Sequence, residues 1–528
     1  MASKRELLAI FFISFSSIFF SIAASEVNES NITWWCNKTP HPEPCKHFIT
    51  KSHKHLGIND LSEFRSTIIG VAMERAIAAK EHVKRREPDI QNERQRVAWN
   101  DCLKLYGITV LQLNHTLQGL NDTSCTDFDA QTWLSTALTN IKTCRTGFLE
   151  LNVSRLIRPM MASNLSKLIS NSLASNGVFL GVKNNTITSS ARSYPSWLSG
   201  HGRKLLQSPP LASSSNLVVA KDGSGQFRTI QAAIDTAAKR SGNGRFIIYV
   251  KRGVYRENIE VGINNNNIVL VGDGMKNTII TSSRSVGEGY TTYSSATAGI
   301  TGEGFIAIGI TFRNTAGPQN HQAVAMRSGS DFSAFFRCGF EGYQDTLYVF
   351  SQRQFYKDCH IYGTVDMIFG NAAAVLQNCI IYARRPLNKQ KNTITAQGRT
   401  DPNQNTGISI LESRILAASD LKPVLGSFKT YLGRPWKQYS QTAFVESYLD
   451  SLVDPAGWLE WDGNFALNTL YYGEYKNTGP GSSTGGRVRW PGYHVINSTN
   501  EASRFTVANL IAGQSWLPKT GVPFRSGL

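Results

Sequence analysis

Phe336-Arg337-Cys338-Gly339-Phe340, Lys357-Asp358-Cys359-His360-Ile361 and Gln377-Asn378-Cys379-Ile380-Ile381 repeat one small pattern. Leu411-Glu412-Ser413-Arg414-Ile415 and Val445-Glu446-Ser447-Tyr448-Leu449 continue it. In each, a small residue is followed two positions later by an apolar one. The first steps are 21 and 20 residues and the later ones 34, as though loops had been inserted. A period near 20 in a stretch of short β-rich runs predicts a solenoid, here a right-handed parallel β-helix. Equivalent positions on neighbouring coils then lie about 4.8 Å apart.

That spacing also stacks polar residues. Gln322 and Gln344 are 22 apart, and Asp345 and Asp366 are 21 apart. The two glutamines, and separately the two aspartates, should therefore fall on adjacent coils at similar angular positions. Carboxylates held that close do not both ionise cheaply, so one carries a proton while the other stays anionic. Acid–base chemistry uses such pairs, although solenoids also stack polar residues as plain ladders.

The strand-rich region begins after Asn216, with an early amphipathic helix around Ile230, Ala233, Ile234 and Ala237. What precedes it differs in kind. From Asn59 to about Asn176 apolar residues recur at helical spacing, behind a cap formed by Asp60 with Glu63 three residues on. Leu61, Phe64, Ile68 and Val71 mark one helix, and the stretch from Trp99 to Leu113 another. Leu134, Leu138, Ile141 and Phe148 mark a third; Met161, Leu165, Leu168 and Leu173 a fourth. Four such helices suit an antiparallel bundle. Cys36 and Cys45 are placed to close an N-terminal hairpin, and Cys102 and Cys144 to staple two helices, with Cys125 left over. Spacing alone leaves other pairings open.

Lys4, Arg5, a short apolar run from Leu7 to Ile22 and the small residues Ala23-Ala24-Ser25 read as a secretory signal over residues 1–24. An uncleaved anchor is the alternative, but the run is shorter than the roughly 20 apolar residues a span needs. Glycosylation sequons at Asn28, Asn31, Asn37, Asn114, Asn121, Asn152, Asn164, Asn184 and Asn497 agree with export. Residues 177–212 turn rich in Ser, Gly, Pro and Asn, and Arg203-Lys204-Leu205-Leu206 within them offers an exposed basic site to a processing protease.

Apolar residues at 41% and charged ones at 18% of 528 exclude a disordered chain, and the length exceeds one domain. The formal charge of +17 favours an anionic partner: nucleic acid, a membrane surface or an acidic polysaccharide. Residues 211–528 still carry 31 basic against 22 acidic residues, so the character survives loss of the first half.

Five motifs occur in order: Gly253-Val254-Tyr255-Arg256-Glu257, Gln322-Ala323-Val324-Ala325-Met326-Arg327, Tyr343-Gln344-Asp345-Thr346-Leu347, Gly363-Thr364-Val365-Asp366-Met367-Ile368-Phe369-Gly370 and Leu432-Gly433-Arg434-Pro435-Trp436. Together they resemble the signature series of plant pectin methylesterases over essentially all of 213–528. Residues 28–176, with their four-cysteine pattern, resemble the pectinesterase-inhibitor module found as a pro-region in many of these enzymes. Met326 and Met367 depart from the commonest pattern, where Leu and Phe are usual; both swaps are apolar and of tolerable volume.

The resemblance implies a set of roles. Asp366 would attack the carbonyl carbon of a methyl-esterified galacturonate. Gln322 and Gln344 would donate to the oxyanion. Asp345 would protonate the departing methanol and then take a proton from water. Arg434 would hold Asp366 ionised. Phe369 and Trp436 would offer flat faces to the sugars, with Thr292 touching substrate from a preceding loop. Cys359 and Cys379, one coil apart around Asp366, are read as a disulfide with Cys338 free, though Cys338 with Cys359 serves almost as well. The pro-region is expected to inhibit its own catalytic domain until cleaved, and separate inhibitor proteins are further candidate partners. No cofactor is expected.

Rival readings are weaker. Gly481-Ser482-Ser483-Thr484-Gly485 fits G-x-S-x-G without the strand-to-helix context of a nucleophile elbow. Gly200-His201-Gly202 superficially resembles a polygalacturonase motif, but the adjacent Asp-Asp pair of such an enzyme is missing. A non-enzymatic reading makes the bundle a binding module inhibiting this or another pectinesterase. His53 and His55 lack companions for a metal site, and only net charge speaks for nucleic acid.

Overall fold

The computed structural model describes residues 32–52, 58–153, 164–184, 214–242 and 244–528. The signal segment, Arg203-Lys204-Leu205-Leu206, Met161, His53 and His55 lie outside them.

The first half folds as helices. Short α1 (Ile32–Cys36) and α2 (Pro42–Ser52) are joined by the Cys36–Cys45 disulfide. Four long helices follow: α3 (Leu61–Lys84), α4 (Glu93–Asn121), α5 (Asp127–Glu150) and α6 (Leu165–Asn184). Their starts are set locally. Asp60 accepts from the Glu63 amide at 2.8 Å while Glu63 reaches back to the Asn59 amide at 2.9 Å. Thr126 and Asp129 form a reciprocal capping box on α5. Phe64, Ile68, Leu105, Leu113, Leu134, Leu138, Leu168 and Leu173 meet in the core, and Cys102–Cys144 ties α4 to α5. Helix α6 runs on to Asn184, past the Asn176 boundary read from periodicity. Phe179 in that extension is held under the Arg65 guanidinium, 3.8 Å from the ring centre, a long-range contact that a local pattern does not register.

The second half winds into a parallel β-helix. Its described strands form three sheets of eleven, seven and eight strands, each joining a strand to its counterpart one coil on. Met326 pairs with Leu347, and Leu347 with Ile368, at the predicted period. Inside, Phe335 stacks on Tyr356 at 4.7 Å and 6°. Helix α7 (Ile230–Ala237) adds its apolar face to this core, and Glu257 caps it by accepting from the Ile230 and Gln231 amides.

The sequence repeat marks the same corner of five successive coils. Arg337, Asp358, Asn378, Glu412 and Glu446 all adopt left-handed backbone, with φ between 49° and 55°, turning the chain from the eleven-stranded to the eight-stranded sheet. Lys476 (φ 47°) adds a sixth coil to the series. The small residue after each turn points inward. The amides of Cys379, Ser413 and Ser447 donate to Ser413 Oγ, Ser447 Oγ and Asn477 Oδ1, each at 3.0 Å.

This ladder corrects the disulfide reading. Cys338, Cys359 and Cys379 are all free and buried. Cys359 Sγ donates to the Phe335 carbonyl at 3.4 Å, and Cys379 Sγ to the Tyr356 carbonyl at 3.6 Å. The thiols occupy the hydrogen-bonding role that serine hydroxyls take further along, so neither Cys359–Cys379 nor Cys338–Cys359 is bonded.

Candidate active site

Two successive coil crossings carry the aspartates. Asp345 precedes strand Leu347–Val349 and Asp366 precedes strand Ile368–Gly370. Both have left-handed backbone, φ 63° and 50°, an uncommon state for a residue with a Cβ. The Asp345 amide donates to the Val365 carbonyl at 3.0 Å, locking one crossing to the next.

Asp366 is gripped from two sides. Arg434 donates Nε to Oδ1 and Nη2 to Oδ2, both at 2.7 Å, a planar two-point ion pair. Thr393 Oγ1 donates to Oδ1 at 2.8 Å and accepts from the Asp366 amide at 2.7 Å. Asp345 is in the opposite condition. Its Oδ1 is buried and has no hydrogen-bond partner among the described residues. Burial first, then the Asp366 and Glu150 charges, raise its carboxyl well above the ordinary value, against the lowering influence of Arg434. The two stacked carboxyls therefore sit in unlike surroundings, Asp366 ion-paired and Asp345 with an unpartnered oxygen.

Gln322, Gln344, Thr292, Phe369, Arg434 and Trp436 line the same cavity of about 190 Å³ as the two aspartates. Phe369 stacks on Tyr348 at 4.2 Å and meets Trp436 edge-on at 5.9 Å. Arg434 lies 4.3 Å from the ring centre of Trp461. Of the five motifs, the first stays away from the cavity: its Glu257 caps α7. Arg327 of the second steadies the Thr292 loop, donating Nε to the Tyr293 carbonyl at 2.9 Å and Nη2 to Glu260. Ser482 donates to the carbonyl of Gly479 in its own loop, which is no elbow.

Sequence reasoning missed Thr393, Tyr348 and Trp461; nothing in a single chain separates one strand threonine or loop aromatic from another. It also missed where the helical unit sits. Helices α4 and α5 supply Asp101, Thr143, Gly147 and Glu150 to the cavity wall. Glu150 accepts from the Thr292 amide at 2.9 Å and hydroxyl at 3.1 Å, and Asp101 accepts from Thr291 Oγ1. Around this contact, Arg353 binds Asp129 at 2.5 Å, Asn371 donates to Thr139 at 2.9 Å, and Asn405 donates to Thr132 at 2.9 Å.

Two aspartates and two glutamines from successive coils of a parallel β-helix thus line one cavity. Residues 216–514 match the family model described as Pectinesterase, and residues 30–174 match that of the Plant invertase/pectin methylesterase inhibitor. The chain belongs to the pectinesterase family, as a carboxylic ester hydrolase carrying an inhibitor-type helical module. It is 57% identical over 96% of both chains to "Probable pectinesterase/pectinesterase inhibitor 17" of Arabidopsis thaliana. It is 54% identical to "Pectinesterase 2" of Citrus sinensis, over 98% of this chain and 99% of that one. The solved pectin methylesterase from carrot matches 60% of this chain and 98% of its own at a TM-score of 0.59 and 58% identity. The Aspergillus niger enzyme reaches 0.50 at 30% identity, over 58% of this chain and 96% of its own.

Proposed function

We propose that this chain removes methyl groups from pectin through an acyl-enzyme on Asp366. The observation that carries the reading is the contrast between the two buried aspartates: one clamped by Arg434, the other with an unpartnered oxygen and a carboxyl raised well above its ordinary value. Oδ1 of Asp366 receives two hydrogen bonds and Oδ2 one, so Oδ2 keeps the freer lone pair. Oδ2 attacks the ester carbonyl of a galacturonate methyl ester, and the oxyanion takes hydrogen bonds from the Gln322 and Gln344 amides. As the C–OCH3 bond breaks, Asp345 gives its proton to the departing methoxide, which leaves as methanol. Asp345, now anionic, takes a proton from a water that attacks the acyl carbon. Collapse returns Asp366 as carboxylate and leaves a free galacturonate. Phe369, Trp436 and Thr292 position the sugars. The test is methanol release from esterified pectin by Asp366→Asn. Turnover should vanish while thermal unfolding stays close to wild type; an active variant would remove the nucleophile from the scheme.

Glu150 supports a second element, autoinhibition. Its carboxylate occupies Thr292 inside the cavity, where a substrate carboxylate or ester would otherwise lie. Cleavage at Arg203-Lys204-Leu205-Leu206 by a processing protease would free residues 213–528 from the helical unit of residues 28–176. The solved carrot chain is covered to 98% by 60% of this one, so a protein starting near Leu211 is a fair test object. Methanol release should appear in the short chain and be absent from the intact one. Equal activity in both would reduce the helical unit to a folding or targeting aid. The segment over residues 1–24 and the sequons, of which Asn37, Asn121, Asn152 and Asn497 are exposed, fit export to the cell wall. Separate inhibitor proteins would occupy the face that the chain's own module now covers.

A further inference from the structure

The coil edge that carries the active site does not end with it. Along this edge the crossings follow one another: 342–346 with Asp345, 364–367 with Asp366, then 384–391, then 418–429. The first two are short. The next two are longer, and they emerge side by side. Strand Ile380–Ala383 pairs with Arg414–Ala417 before the loops, and Asn392 pairs with Thr430 after them. Their composition is one-sided. Residues 384–391 read Arg384-Arg385-Pro386-Leu387-Asn388-Lys389-Gln390-Lys391 with no acid, and 418–429 add Lys422 and Lys429 against Asp420 alone.

Arg384 anchors the assembly to the catalytic crossing. Its guanidinium donates to the Gly342 carbonyl at 2.9 Å and to Tyr343 Oη at 2.6 Å, lies 3.8 Å from the Tyr343 ring centre, and reaches Asp420 at 3.5 Å. Asp420 is thereby engaged, as is Lys429 by Asp454 at 3.2 Å. Arg385, Lys389, Lys391 and Lys422 are exposed and make no ion pair among the described residues, whose pairs on these loops are those two. Lys391 stands 6.0 Å from the Tyr431 ring centre. Between the loops and the catalytic crossing lies an open groove of about 580 Å³ lined by Pro318, Tyr343, Arg385, Pro386, Leu387 and Asn388 and by Asp420, whose charge Arg384 engages. No residue of the helical unit contributes to it.

We propose that these two loops form an exosite for de-esterified polygalacturonate, continuous with the catalytic cleft through Tyr343 and Gln344 and open while the helical unit is docked. The inference rests on the pectin methylesterase reading, because the product of that reaction is a run of free carboxylates on a sugar chain. Unpaired cations beside an aromatic face and the exposed Leu387 suit such a polymer: charge for the carboxylates, flat apolar surface for the rings. A fully esterified chain lacks the charge and should bind there poorly.

The test is binding of the intact chain to immobilised polygalacturonate and to highly methyl-esterified pectin, at low and at high salt. A variant combining Arg385→Glu, Lys389→Glu, Lys391→Glu and Lys422→Glu is compared with a control of equal charge change on the helical unit, Lys51→Glu, Lys84→Glu, Arg85→Glu and Arg96→Glu. Circular dichroism melting checks that each folds. The proposal expects the loop variant to bind polygalacturonate tenfold or more weakly, the control to stay within about threefold, and the difference to collapse at high salt. Equal weakening in both proteins would mean diffuse charge and overturn the exosite, as would wild-type affinity in the loop variant. A second measurement separates this from the catalytic reading: the short chain from Leu211 carrying the loop substitutions should still release methanol from small esterified oligogalacturonates. If the intact chain binds polygalacturonate through these loops yet the unsubstituted short chain from Leu211 releases no methanol, the exosite stands and the esterase reading falls.

Discussion

The carboxylate of Glu150, the last residue of α5, rests on both the amide and the hydroxyl of Thr292, at 2.9 and 3.1 Å. One residue from the helical unit thus fills a polar cradle in the enzyme's own cleft. Hydrogen bonds to a charged acceptor are each worth about 1.5–3 kcal/mol. Glu150→Ala in the intact chain should therefore raise residual methanol release by roughly tenfold or more. An intact variant as silent as wild type would show that the plug lies elsewhere.

Docking should weaken as pH rises. Burial lifts Asp101 from 3.8 to about 6, against the lowering influence of Thr291, Arg327, Lys104 and Ser294. Burial also raises Glu150, against the Thr292 hydrogen bonds and Lys437 and with help from Asp101. Undocking returns both carboxyls to water and to ordinary values. A carboxyl whose value is raised in the docked state favours docking fully below its free value, near 4. The advantage is lost as pH climbs through about 6. At about 1.4 kcal/mol per unit, Asp101 alone would contribute roughly 3 kcal/mol. In a chain nicked in the linker, the two parts should co-elute on size exclusion at pH 4.5 and separate at pH 7.5. Tighter association at the higher pH would contradict this sign.

Arg434→Lys keeps the charge and loses the planar two-point grip on Asp366. Turnover by the short chain should drop about a hundredfold, in line with the loss of one well-placed electrostatic group. Because the pair lies at the cavity wall and not in the coil interior, the melting temperature should move by only a few degrees. Wild-type turnover would show that charge alone, without orientation, suffices.

Cys359→Ser should be tolerated, since Ser413 and Ser447 already hold the equivalent ladder position on later coils. The expected cost in chemical denaturation is no more than about 1.5 kcal/mol, the net worth of one hydrogen bond, because the new hydroxyl inherits the thiol's carbonyl partner. Non-reducing peptide mapping should find Cys36–Cys45 and Cys102–Cys144 bridged and Cys338, Cys359 and Cys379 as thiols. A Cys359–Cys379 bridge in that map would reverse the correction drawn from the fold.

Much of this was legible beforehand. The step of 21 residues is a property of the chain itself: it is the length of one coil, so it announces the solenoid and stacks Asp345 over Asp366. Helix caps such as Asp60 with Glu63 are equally local, because donor and acceptor are three residues apart. What only the tertiary structure decided are contacts between distant stretches. Thr393 reaches Asp366 across 27 residues and Arg434 across 68. Glu150 reaches Thr292 across 142. The three stacked cysteines show the limit most plainly. Spacing places them on adjacent coils, where a bridge and a hydrogen-bonding ladder are both geometrically open. Only the carbonyls supplied by neighbouring coils settle the choice in favour of thiols. Local period fixed the frame; the assembled field of donors, acceptors and buried charge gave each stacked residue its state.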